Sequence, residues 1–222
     1  MVISTKKDPF SNICLSMNNQ VIERVSSVKF LGIYISDTLS WNEHVDYVCK
    51  KARKIIGYIH RAFNSASPVT RRLLYLALVQ PILEYSSISW HPLNITLTNR
   101  LESTLRFACR VILQSWKLSH ENLLLKADLP RLSKRRDIAN LCHIFKIINH
   151  LCSSPNHFKP HPRPTLRNLN TLSLDTPFCR LTLSQRSFYT YTPTLWNYLP
   201  EEIVNCATLP AFKTALRLHL SK

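Results

Sequence analysis

Arg131, Lys134, Arg135 and Arg136 place four cations within six residues, the densest basic cluster in the chain, with only Asp137 beside them. Side chains of this type and spacing suit contacts to phosphate oxygens, each weak by itself and sensitive to salt. Two further sets share that chemistry. Lys50, Lys51, Arg53 and Lys54 crowd a single stretch, and Arg106 and Arg110 follow at a four-residue step. A solvated basic surface is the competing reading for each set.

Other chemistries are poorly supplied. Cys142, Cys152, His157 and His161 stand in an order that suggests zinc, and the closing His-x-x-x-His spacing is acceptable. Nine residues separate the two cysteines, against about two to four in zinc fingers. Cys142 also falls on an apolar helix face, where a free thiol acts as a small hydrophobe. No Cys-x-x-Cys pair occurs, and no local signature marks a nucleophilic cysteine. The six aspartates are scattered, with no two adjacent. An Asp-Asp turn that could help hold a pair of Mg²⁺ ions is therefore missing. Gly32 and Gly57 are the only glycines, which excludes a glycine-rich phosphate loop. The expectation is a chain with no cofactor and no catalytic residue of its own.

The bulk composition points the same way as the clusters. A formal charge of +16 over 222 residues calls for a polyanionic partner, nucleic acid before an anionic membrane. The excess is spread over 1–98 (11 basic, 6 acidic), 99–150 (10 and 4) and 151–222 (8 and 3), so it belongs to folded surfaces and not to a tail. Hydrophobic residues at 45% exclude wholesale disorder. The longest apolar run, 73–79, is seven residues, far short of the ~18 of a membrane span. Residues 1–7 lack a signal-peptide core, and seven cysteines is an odd number. Free thiols in a reducing compartment are expected, hence an intracellular protein, nuclear or cytoplasmic, and not a secreted one.

The elements that must position these cations follow in order. Residues 13–17 and 20–22 flank Asn18-Asn19, a candidate two-residue hairpin turn. Residues 28–35 form a β-rich run with Gly32 inside it, the mark of a bulge or a close backbone approach. The two together predict a small antiparallel sheet. Ser40 and Glu43 have capping-box spacing and open a long helix, with Val45, Val48, Ala52, Ile55, Ile59 and Ala62 as its apolar face. Gly57 costs that helix about 1 kcal/mol against Ala, for which a close helix crossing is the simplest compensation. Ser67-Pro68 starts a second helix, kinked or ended at Gln80 by Pro81. Thr98 is the candidate cap of a third, running 99–115, with Leu101, Leu105, Ala108 or Cys109 and Ile112 as its apolar stripe. A short helix over 119–128 and a longer one through Leu132, Ile138, Leu141, Phe145, Ile148 and Leu151 complete the middle. Pro155, Pro160, Pro162 and Pro164 mark a linker. Residues 166–183 have loose strand character, and Thr208 with Pro210 starts a last helix with Ala211, Phe212, Ala215, Leu216 and Leu218 as its apolar side; contacts of Trp196 and Phe212 are expected to anchor this end.

Several of these stretches resemble one family. Lys29-x-Leu31-Gly32 followed by Leu39-Ser40-Trp41-x-x-His44 resembles the segment after the catalytic palm in LINE-type (non-LTR) retrotransposon reverse transcriptases. Residues 74–90, Leu-Tyr-x-x-Leu-Val-x-Pro-x-Leu-Glu-Tyr-x-Ser-x-x-Trp, are similar to the thumb signature of the same family and more specific. Leu101-Glu102 and Arg106-x-Ala108-x-Arg110 match part of a third pattern, with Ser103-Thr104-Leu105 replacing its usual middle. Residues 187–200 resemble its Ser-Phe-Phe … Trp-Asn-x-Leu-Pro element, with Tyr191 where the family often has Arg.

The resemblance implies a primer-grip hairpin near Lys29, Phe30, Leu31 and Gly32, with a helical thumb beyond it. It covers only the portion after the palm, so the paired aspartates and their Mg²⁺ belong to an intact parent enzyme. The expectation is an α+β, mostly helical chain: a β-element over 1–39, a thumb-like domain over 40–152, a linker over 153–165 and a C-terminal module over 166–222. Its function would be non-catalytic gripping of a primer–template duplex. An enzyme completed by a separate palm, an inert remnant of a decayed element and a host-recruited protein-interaction module are the alternatives. No oligomeric state is implied.

Overall fold

The computed structural model describes residues 1, 3, 14–152, 158–160 and 172–221. It is α+β and mostly helical, with two antiparallel hairpins ahead of the helices. Asn18 and Asn19 take positive φ (50° and 61°) and join β1 (Ser16–Met17) to β2 (Gln20–Val21). Asparagine tolerates that region, and the mirror-image turn it makes matches strand twist. The second hairpin pairs β3 (Ser27–Phe30) with β4 (Ile33–Ser36), Phe30 opposite Ile33.

Residues 28–35 are not one bulged strand, because Leu31 (φ 45°) and Gly32 (φ 83°) turn the chain back on itself. The two hairpins also remain separate two-stranded sheets. The second is docked: Tyr85 Oη donates to the Leu31 carbonyl at 3.1 Å, and a Cβ on Gly32 would lie 3.4 Å from the Tyr85 ring.

Helix α1 (Asn42–Ala62) starts at Trp41 without a side-chain cap. The expected Ser40–Glu43 box is absent because β4 competes for it: Ser36 Oγ accepts from the Ser40 N–H at 2.7 Å. Val45, Val48, Cys49, Ala52, Ile56 and Ile59 are buried, while Ile55 is half-buried and Ala62 exposed. No helix crosses at Gly57 either; a Cβ there would meet only Arg61 Nη1, at 3.5 Å.

Ser67 caps α2 (Pro68–Leu74) by accepting from the Thr70 N–H at 3.1 Å. The chain then widens into a π turn over Tyr75–Val79 and continues as α3 (Gln80–Glu84). Pro81 thus sits inside a continuous helical run. The widened turn before it shifts the hydrogen-bond register in which the proline ring would strike a carbonyl. Ser86 at φ 49° separates α3 from α4 (Ser87–Trp90).

Asn94, not Thr98, caps α5 (Ile95–Leu113), accepting from the Leu97 N–H at 2.9 Å. Asn94 also takes the Thr98 N–H on its carbonyl, so Thr98 is already helical. Ser119 caps α6 (His120–Ala127), and α7 (Leu132–Ile148) follows. The C-terminal helices are α8 (Thr182–Gln185), α9 (Phe188–Asn197), α10 (Glu201–Val204) and α11 (Leu209–Ser221).

Two apolar cores result, and α7 serves both. Its Leu132 joins α1, α5 and α6, whereas Leu141, Ile144 and Phe145 pack with Trp196, Phe212 and Leu216. Phe145 stacks on Phe212 at 4.4 Å between centroids, with Trp196 at 5.7 Å from Phe212. Leu151 and Leu218, expected on these faces, are exposed. Asp137 ties the cores together, accepting from Tyr191 Oη and contacting His91 Nε2, both at 2.9 Å.

Asn197 grips Leu174 at both backbone groups at 2.8 Å, and the Trp196 N–H donates to the Leu172 carbonyl. Most of the expected linker and residues 166–171 lie outside the described residues; Pro160 forms a bridge with Leu174, and Thr182–Gln185 is helical, not extended. No described helix is long and apolar enough to cross a membrane.

Candidate nucleic-acid interface

Burying one face of α1 leaves the opposite face to its cations. Lys50, Lys51, Arg53 and Lys54 are all exposed, and none has a carboxylate partner among the described residues. Lys50, Lys54 and Arg61 recur at four and seven residues, which aligns them along one outward stripe about 16 Å long at the rise of a helix. Arg53 is held at the edge of this stripe. Its Nε donates to Thr104 Oγ1 at 3.3 Å and its Nη2 to Ser103 Oγ at 3.4 Å. Hydroxyls orient the guanidinium without cancelling its charge. These partners come from α5, which local periodicity does not connect to α1.

Lys29 stands at the head of the stripe. From β3 its Nζ reaches Tyr47 Oη at 3.3 Å and lies 4.5 Å from the Tyr47 ring centroid and 5.3 Å from that of Tyr34. The hydrogen bond to Tyr47 is the chief cause of a Lys29 pKa above the usual lysine value, and it lowers that of Tyr47. The amine is therefore fixed and charged. Phe30, Leu31 and Gly32 beside it are exposed. His44 anchors the hairpin from below: its Nδ1 accepts from the Tyr34 N–H at 3.4 Å. Burial, and then the Arg136 charge, push the His44 pKa down.

Arg106 and Arg110 contribute less than their spacing suggests. Both are half-buried with a shielded Nε. Arg110 lies 5.8 Å from the Trp116 ring centroid. Arg106 faces α6, where its charge adds to burial in lowering the His120 pKa.

The cluster at 131–136 departs most from expectation. Arg136 is 1% exposed, lies 4.5 Å over the Trp90 ring and donates from Nη2 to the Leu83 carbonyl at 3.0 Å. Burial lowers its pKa to about 10, opposed by Glu102 and Glu84, so it remains a cation with no route to a phosphate. Arg135 pairs with Glu84 at 2.5 Å and is mostly covered. Arg131 is exposed but pairs with Glu121 at 3.4 Å, and Lys134 donates to the Leu220 carbonyl at 2.6 Å.

The cause is the way α7 starts. Glu102 of α5 accepts from the Ser133 N–H at 3.0 Å, a carboxylate satisfying a helix N-terminus from another element. That contact turns Arg135 and Arg136 toward the interior. Arg71 and Arg72 are likewise absorbed, donating to the Ile112 and Ala127 carbonyls at 2.9 Å at helix ends.

Among the described residues no group of three or more His, Cys, Asp or Glu is placed to hold a metal; His157 and His161 lie outside them. The chain matches no family model, and neither a curated protein nor a solved structure matches it. Its chemistry rests on its own geometry: an outward row of cations with no carboxylate partner among the described residues, Lys29 and Arg53 held in place at its margins, and a docked hairpin beside it.

Proposed function

We propose that this chain holds a primer–template duplex by its phosphates and does not extend it, as the post-palm portion of a LINE-type reverse transcriptase. The outward stripe of α1 carries the reading. Lys50, Lys51 and Lys54 cluster there with no carboxylate partner among the described residues, and Lys29 and Arg53 are held in place at its margins. Contacts of this kind set register on a duplex without reading base sequence. The β3–β4 turn, at the Lys29 end of the stripe, is the element assigned to the primer end. Arg131 and Lys134 act as outlying contacts in this reading, while Arg135 and Arg136 are excluded from it. The scattered aspartates give no acidic pair for two metal ions, which supports holding without polymerisation.

Anisotropy of a labelled RNA–DNA hybrid, followed from about 50 to about 300 mM salt, tests this. With about four to five phosphates neutralised, log K falls against log salt with a slope of about −4. Double reversal, Lys50→Glu with Lys54→Glu, flattens the slope by roughly two and weakens binding more than about tenfold. Primer length stays unchanged when nucleotides and Mg²⁺ are added. A salt-independent affinity, or primer extension by the chain alone, defeats the proposal.

A further inference from the structure

We infer that Trp116 is a stacking platform for an unpaired base, so that the preferred ligand is a duplex with a single-stranded overhang. This rests on α1 being the phosphate-holding face. Of the four tryptophans, Trp90 and Trp196 are buried and Trp41 packs against the first core, but Trp116 is 54% exposed. It lies in the connection between α5 and α6 and meets groups of both α1 and α5. The Phe107 centroid is 6.3 Å away and tilted, and the His60 ring meets it nearly edge-on at 6.4 Å. The Arg110 guanidinium lies 5.8 Å from its centroid. The indole is thus oriented in advance while much of its surface remains open.

His60 belongs to the last turn of α1, next to Arg61. Tyr47, where Lys29 is anchored, lies thirteen residues earlier on the same helix, about 20 Å by helical rise. Trp116 therefore closes the far end of the stripe. Within a duplex the faces of the bases are taken up by its own stack, so away from the duplex end an exposed indole engages a base that has left the stack. An aromatic face beside a cation is the pairing that sequence-tolerant single-strand binders use. A lone exposed tryptophan would be unremarkable on a surface; one fixed between Arg110 and the end of a basic helix has a matching ligand.

The test compares the full chain with Trp116→Ala and Trp116→Phe on a blunt duplex and on the same duplex with a short oligothymidine overhang. Trp emission is quenched on adding the overhang duplex and much less on adding the blunt one. Trp116→Ala abolishes that quenching and weakens overhang binding by about five- to a hundred-fold, leaving blunt-duplex affinity within about twofold, whereas Trp116→Phe retains most of it. Circular dichroism melting verifies that each variant is folded. Equal losses on both ligands, or no loss on either, overturn the stacking role. If Lys50→Glu with Lys54→Glu leaves blunt-duplex binding and its salt slope intact, the α1 reading fails instead. Failure of the parent chain to bind either ligand overturns both.

Discussion

Residues 50–54 and residues 131–136 each carry four cations, but only the first set stands in water throughout. The difference lies in what packs beside each helix. α1 buries the face opposite its lysines, and its neighbour α5 offers Arg53 only hydroxyls. α7 starts against Glu84 and Glu102, which draw Arg135 and Arg136 out of the solvent. Density of charge along a chain therefore does not measure density of charge on a surface. A buried cation is spent on fold, whereas an outward one is available to a partner.

The largest expected effect separates the two sets. Arg136→Ala removes the cover over Trp90 and strands the Leu83 carbonyl, so unfolding by urea shows a loss of about 2–4 kcal/mol. The salt slope of duplex binding stays unchanged in the folded protein. Lys50→Glu with Lys54→Glu does the reverse, with stability held within about 0.5 kcal/mol and affinity reduced. A stable Arg136→Ala variant that has lost duplex affinity would break the comparison.

The next effect is pH dependence. The folded-state pKa of His44 is below the unfolded value, chiefly through burial, and those of His120 and His143 shift the same way. The unfolded state thus binds more protons as pH falls through about 6.5, and stability falls with it. Above that value the contribution of the neutral rings is fully present. Protonation of His44 also puts an N–H against the Tyr34 N–H at 3.4 Å, loosening the hairpin that carries Lys29. Thermal melting should therefore drop between about pH 7.5 and 5.5, with a smaller drop in His44→Gln. A pH-independent melt in the parent chain would count against the buried neutral ring.

The smallest effect concerns Gly57. Its added methyl meets only Arg61 Nη1 at 3.5 Å, an ordinary contact, so Gly57→Ala stabilises α1 by about 0.5–1 kcal/mol. A lower melting temperature in that variant would mean that the outward face is covered in the isolated chain.

Much of the scaffold was legible because it is local. Ser67 and Ser119 cap the helices that their spacing announces, and Asn18-Asn19 makes its turn. Leu101, Leu105, Ala108, Cys109 and Ile112 are all buried as a single stripe. Misreadings arose where two local solutions competed. Ser36 displaced the Ser40 box, Asn94 pre-empted Thr98, and Gly32 closed a turn where a bulge was expected. Each alternative satisfies the same backbone groups, and composition alone does not rank them. In the sequence Ser103 and Thr104 only replace the middle of a pattern, yet their hydroxyls are what fix Arg53.

By itself the sequence determined the helical periods, some of the caps, the basic balance and the lack of adjacent aspartates, all of which are properties of neighbouring residues or of bulk composition. Only the tertiary structure decided which cations remain outside, which are consumed, and that Trp116 stands open at the end of α1. Those outcomes depend on pairs such as Glu102 with Ser133 and Lys134 with Leu220, 31 and 86 positions apart. Burial makes an unpaired charge or backbone group costly, so distant partners are recruited wherever the packed helices bring them within reach.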